Sequence, residues 1–134
     1  MMSAAIMGAT AFQKGLGAIH ALSHPIGAMY HTHHGTTNAV CMPTVLQFNR
    51  PAIEGVIEQA AKYLDISGGF DGFCAYVDEL NASLGIPKTL TALGIDAPDV
   101  ERIVAGALTD PSTGGNPIKM TKENTTKLLL EIIG

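Results

Sequence analysis

Apolar residues recur at helical spacing along most of this chain. Ile53, Val56, Ile57, Ala60, Ala61 and Leu64 fall at i, i+3, i+4, i+7, i+8 and i+11, which predicts a helix that buries one face. Phe73, Val77, Leu80 and Leu84 predict a second helix, closed by Gly85 and Pro87. Val100, Ile103, Val104, Ala107 and Leu108 predict a third, opened by Asp96 and Pro98. A last helix follows Thr121, whose hydroxyl suits an N-cap, and runs through Leu128, Leu129, Ile132 and Ile133. No stretch alternates apolar and polar residues as a half-buried strand would. The expected fold class is all-α, a helical bundle forming one domain over residues 1–134.

The segment DPSTGGNPIKM, residues 110–120, separates the last two predicted helices. Its Pro and Gly content predicts an irregular loop whose backbone can come close to a ligand. Gly68 and Gly69 read as a turn, and no internal repeat or second domain boundary is visible.

Composition narrows the function classes. With 134 residues, 46% hydrophobic and 15% charged, the chain is long and apolar enough to bury a core, which excludes disorder. The net charge is −4 and Lys and Arg are scattered, so the basic stripe that a phosphate backbone requires is absent and no nucleic-acid partner is expected. No stretch reaches the roughly 18 apolar residues of a membrane helix, and MMSAAIMGATAFQKG lacks the basic start and cleavage pattern of an export signal. No membrane partner and a cytoplasmic location are therefore expected. Cys41 and Cys74, each inside a helical pattern, are expected to be free thiols.

All five histidines, His20, His24, His31, His33 and His34, lie in GAIHALSHPIGAMYHTHHG. Imidazole is the commonest side-chain metal ligand and is largely neutral at physiological pH. A helix over residues 10–24 puts His20 and His24 on one face, one turn apart. Pro25 is expected to disturb that helix, and a turn at His34-Gly35 can bring His34 back towards His20. His20 and His34 are thus candidate metal ligands, the alternative being core or surface histidines with ordinary hydrogen bonds. His24 stays open among ligand, proton carrier and structural residue. His31 and His33 are expected to face solvent, because alternate residues of a turn cannot all point at one ion. Residues 1–50 contain no Asp or Glu, so any carboxylate at the cluster must come from far along the chain or from outside it. Two imidazoles fall short of the four ligands of a structural site and of the usual three of a catalytic one.

The stretch GLGAIHALSHPIGAMYHTHHGTTNAVCMP, residues 15–43, resembles the iron-containing (group III) alcohol dehydrogenases in their C-terminal helical domain. The family pattern is a His, three residues, His-Pro, eight residues, then His-Gly, followed by Asn-Ala and Pro. His20, His24-Pro25, His34-Gly35, Asn38-Ala39 and Pro43 meet it. The resemblance continues through FNRPAIEGVIEQAAKYL (48–64), GFDGF (69–73), LGIPKTLTALGI (84–95) and TGGNP (113–117).

That resemblance implies that His20 and His34 are ligands of a catalytic divalent ion, Fe2+ or alternatively Zn2+. It implies that His24 lies near the reacting centre and relays protons. The ion would act as a Lewis acid on an alcohol or aldehyde substrate while hydride passes to or from NAD or NADP. The family's other two ligands, an Asp and a His four residues apart, have no counterpart here, nor does its glycine-rich pyrophosphate loop. AAIMGATAFQKGLG resembles the middle of a family helix, so Met1 is expected to mark a truncation. The nucleotide-binding domain and the first part of the helical domain would then be missing, and the isolated chain is expected to be inactive. The alternative is a stand-alone helical module that binds a metal or a partner chain without catalysis. Either way, apolar surface left uncovered would favour a homo-oligomer.

Overall fold

The computed structural model describes residues 2–134; Met1, expected to mark a truncation, lies outside the described residues. Six helices follow one another, with no strand among the described residues: α1 (Met2–Ala11), α2 (Ala18–Tyr30), α3 (His34–Tyr63), α4 (Gly69–Ser83), α5 (Val100–Thr109) and α6 (Lys122–Ile133). Short 3-10 helices occupy Phe12–Lys14 and Pro111–Gly115. The all-α expectation holds.

The core gathers the apolar faces of four helices. Ala18, Ala21, Leu22 and Ile26 of α2 pack with Val40, Cys41 and Val45 of α3, with Ile103, Val104 and Ala107 of α5, and with Leu128, Leu129 and Ile132 of α6. Of the residues predicted to face inward on α5 and α6, Ile103, Val104, Ala107, Leu128, Leu129 and Ile132 are among these, while Val100, Leu108 and Ile133 pack against them half-buried. A smaller cluster joins Leu46 of α3 to Phe70 and Val77 of α4. Arg50 fastens the same two helices from outside, donating to Glu54 and Asp71 with its guanidinium 4.7 Å from the Phe70 ring centre.

Several boundaries differ from the sequence expectation. The helix expected over 10–24 starts only at Ala18, because Gly15, at φ 98°, follows the 3-10 turn and breaks the path. It then runs through Pro25 to Tyr30. Proline there removes one backbone donor, and burial of Leu22 and Ile26 on either side keeps the helix continuous. The run from Ile53 is not a separate element either, since α3 starts at His34 and passes through Pro43 and Pro51 without interruption. Its second half packs on α4 through Ile53 and Ile57, while Val56 and Leu64 of the predicted face stay exposed.

Asp99, rather than Asp96 or Pro98, opens α5, its carboxylate accepting the Arg102 N–H at 3.1 Å. Thr121 caps α6 as expected and shares a reciprocal pair of bonds with Asn124. Cys41 and Cys74 are free, the first buried and the second half-buried.

Candidate metal centre

The N-terminus of α2 carries no capping side chain of its own. Its Ala18 N–H is capped by Asn116 Oδ1, 98 residues further on, at 3.1 Å. Asn116 also exchanges two amide hydrogen bonds with Asn49 of α3, at 2.8 and 2.9 Å, and donates to the Ile118 carbonyl. One amide therefore ties α2, α3 and the 110–120 segment together. Bare backbone makes this possible: a Cβ on Gly17 would stand 2.9 Å from Asn116 Oδ1, and one on Gly115 would run into the Leu16 carbonyl. The first half of the segment expected to be an irregular loop is thus a 3-10 helix, Pro111–Gly115, whose last glycine lies against Leu16 just before α2, while residues 116–120 are irregular as expected.

Downstream of that anchor, His20 and His24 project from α2 one turn apart, with ring centres 5.6 Å apart. His31 ends α2 in the left-handed region, at φ 55°, and Thr37 binds the Thr32 hydroxyl at 2.7 Å across the turn. His33 is the N-cap of α3, accepting the Thr36 N–H at 3.3 Å. His31 and His33 are both exposed, as expected. His34, expected in the turn, is the first residue of α3. The reversal puts its ring 5.3 Å from that of His20 and 5.5 Å from that of His24, nearly parallel to the latter at 16°.

The structure therefore brings His20, His24 and His34 together. Asn38, one turn beyond His34, stands between two of them: its Nδ2 lies 3.3 Å from His20 Nε2 and 3.1 Å from His34 Nε2. An amide NH2 can only donate, so both Nε2 atoms act as acceptors converging on one point. Two unprotonated imidazole nitrogens aimed at a common centre are part of the donor set that a divalent cation takes, which needs at least one further ligand. Asn38 Oδ1 is buried without a hydrogen-bond partner. His20 and His34 can supply two ligands of a divalent ion, and no group of three or more His, Cys, Asp or Glu suited to one ion occurs among the described residues.

Electrostatics favour a neutral His20. Burial pushes the His20 pKa down, and its neighbours His34 and His24 add to this, outweighing Asp110. The Phe12 ring lies edge-on to His20 at 5.7 Å. A shallow groove of about 280 Å³ runs beside His20 between Leu16, Gly17 and Asn116. A carboxylate from far along the chain, Asp110, 86 residues after His24, reaches the cluster by a hydrogen bond, with Oδ2 2.8 Å from His24 Nδ1. Burial raises the Asp110 pKa, but hydrogen bonds from Ser112 and His24 more than offset it and hold it below the ordinary carboxylate value. The sequence does not single out Asp110, Asn38 or Asn116 as site residues, although Asn38 and Asn116 lie in stretches that carry the family resemblance.

The family profile described as Fe-containing alcohol dehydrogenase family, C-terminal, matches residues 1–133. The chain belongs to the iron-containing alcohol dehydrogenase family. It is 36% identical over 138 aligned residues to 4-hydroxybutyrate dehydrogenase of Cupriavidus necator, covering 96% of this chain and 36% of that protein. It is 32% identical over 121 residues to lactaldehyde reductase of Escherichia coli K12, covering 85% of this chain and 32% of the relative. The crystal structure of a 1,3-propanediol oxidoreductase superposes with a TM-score of 0.80 at 27% identity, covering 88% of this chain and 33% of the other. The chain thus spans about a third of the length of these iron-containing alcohol dehydrogenase relatives, in their C-terminal part.

Proposed function

We propose that these residues form the C-terminal metal-binding part of an NAD(P)-dependent alcohol dehydrogenase that interconverts alcohols with aldehydes or ketones. The observation that carries this reading is the convergence of His20 Nε2 and His34 Nε2 on a single point. These two side chains would hold the divalent ion, iron or alternatively zinc. A bound ion would supply Lewis acidity towards the substrate oxygen. His24 stands beside both rings with Nδ1 committed to Asp110, so its Nε2 is the atom that takes or returns a proton.

In this reading the remaining ligands and the binding site for NAD or NADP belong to residues outside the chain, in a nucleotide-binding domain and the first part of the helical domain. The names of the relatives support a hydroxy compound or aldehyde as substrate. The free thiols support a reducing, cytoplasmic setting. No described helix is long and apolar enough to cross a membrane. Scattered positive charge supports a role without nucleic acid.

A second reading, a stand-alone helical module that binds metal or a partner chain, draws on α1. Met2, Ile6 and Met7 of that helix and Phe12 just after it are exposed, a surface suited to a partner or a second copy.

Titration of the 134-residue chain with Fe2+ under anaerobic conditions, and with Zn2+, tests the ligand assignment. His20→Ala and His34→Ala should each lower affinity at least tenfold, and unchanged affinity would remove the assignment. The chain alone should not turn over alcohols with NAD or NADP; metal-dependent turnover would show that the site is complete without further residues. The size of the native protein in its source cells, probed with an antibody to this chain, separates the two readings. A band far above 14.0 kDa supports the dehydrogenase, and a band at that mass supports the module.

A further inference from the structure

Asp110 lies where α5 ends and the 3-10 turn Pro111–Gly115 begins. Its two carboxylate oxygens have different partners. Oδ1 accepts the Ser112 N–H at 2.7 Å, and Oδ2 stands 2.8 Å from His24 Nδ1. Capping the turn requires only the first of these bonds. The second is a side-chain bond between residues 86 apart, at the length of a charge-assisted hydrogen bond. The Asp110 side chain is 12% exposed and that of His24 41%, so the carboxylate is fixed beneath a ring that reaches outward.

An ionised carboxylate only accepts hydrogen bonds, so the hydrogen between the two groups belongs to Nδ1 of His24. A neutral imidazole then carries no hydrogen on Nε2, which becomes the acceptor. The ring is also braced by its near-parallel contact with His34 and its edge-on contact with His20. The direction of Nε2 is thereby set as well as its protonation state.

We propose that Asp110 is a positioning residue that fixes the tautomer and orientation of His24, so that Nε2 faces the reaction as a proton acceptor. Its contribution to catalysis rests on the reading of His24 as the proton carrier. The placement of the hydrogen does not rest on it. His20 and His34 also present an unprotonated Nε2, in their case to Asn38. The three rings therefore share one tautomer, imposed by two different side chains.

Ring-nitrogen NMR on the 134-residue chain at about pH 8, above the ordinary histidine pKa of about 6.5, tests the placement. His24→Gln assigns the signal by its loss. His24 of the unaltered chain should carry its hydrogen on Nδ1, and finding it on Nε2 overturns the proposal without any variant at position 110. In Asp110→Asn the new amide oxygen can keep the Ser112 bond while its NH2 faces His24 Nδ1, so the hydrogen should move to Nε2. A folded Asp110→Asn chain that retains the Nδ1–H form overturns the proposal. Thermal unfolding and the backbone amide spectrum check that the variant is folded. Addition of Zn2+ separates this result from the functional reading. If His24 Nε2 shifts as a directly bonded ligand nitrogen, the proton-carrier role fails while the Asp110 placement stands.

Discussion

Pro25 of α2 and Gly106 of α5 meet where those two helices cross: a Cβ added to Gly106 would lie 2.8 Å from Pro25 Cβ. The proline expected to disturb α2 thus packs against a neighbour without a side chain. Gly106→Ala should destabilise the fold by about 1–3 kcal/mol through overpacking. Gly55, inside α3 with nothing near its Cβ position, is the control. Gly55→Ala should stabilise by roughly 0.5–1 kcal/mol by removing backbone freedom from the unfolded chain. Urea unfolding midpoints of the two variants should move in opposite directions.

Asn116 joins three parts of the chain with one amide, accepting from Ala18 N–H and Asn49 and donating to Asn49 and Ile118. Asn116→Ala leaves those partly buried groups unpaired and should cost about 1–3 kcal/mol in chemical denaturation. Because Ala18 begins the helix that carries His20, the variant should also weaken divalent-metal binding without touching a ligand. Metal affinity equal to that of the parent chain would show that the anchor acts on stability alone.

The depressed pKa of Asp110 has a defined consequence for acid stability. A carboxyl that titrates lower in the folded than in the unfolded chain adds stability above its unfolded value, near 3.8. That stability disappears as pH falls through the lower, folded value. The thermal midpoint of the parent chain should therefore drop as pH goes below that unfolded value. Asp110→Ala should start lower and show a shallower acid dependence. Parallel curves for the two proteins would mean that Asp110 has the same pKa folded and unfolded.

The two thiols should react on different timescales. Cys41 is 0% exposed, and burial pushes its pKa up to about 12. Cys74 is half-buried and also raised, by burial and by nearby Asp71 and Asp78. A thiolate-selective reagent should label Cys74 slowly in the native protein and reach Cys41 only on unfolding. Equal labelling rates would show that the α2–α3 core opens as readily as the surface of α4.

The spacing of Phe73 and Val77, of Ile103, Val104 and Ala107, and of Leu128, Leu129 and Ile132 made α4, α5 and α6 legible, since each helix declares its buried face every three or four residues. Thr121 declared a helix start because its hydroxyl bonds within one turn. Helix continuity was not legible: Pro25, Pro43 and Pro51 look like stops locally, and only packing on neighbouring helices keeps α2 and α3 intact. The Ser112–Gly115 stretch looked irregular because its order depends on contact with Leu16, which is remote in sequence, as well as on a bond back to Ala107 at the end of α5.

The sequence by itself determined the helical class, the family and the grouping of His20, His24 and His34, since each rests on residue types at short, fixed spacings. The tertiary structure decided which groups those histidines face. Asn38 between His20 and His34, Asp110 on His24 and Asn116 at the start of α2 depend on how the chain turns between α2 and α3 and on where the end of α5 comes to lie. A hydrogen bond reaches only about 3 Å, so residues 86 or 98 positions apart become partners only when the packed helices bring them within that distance.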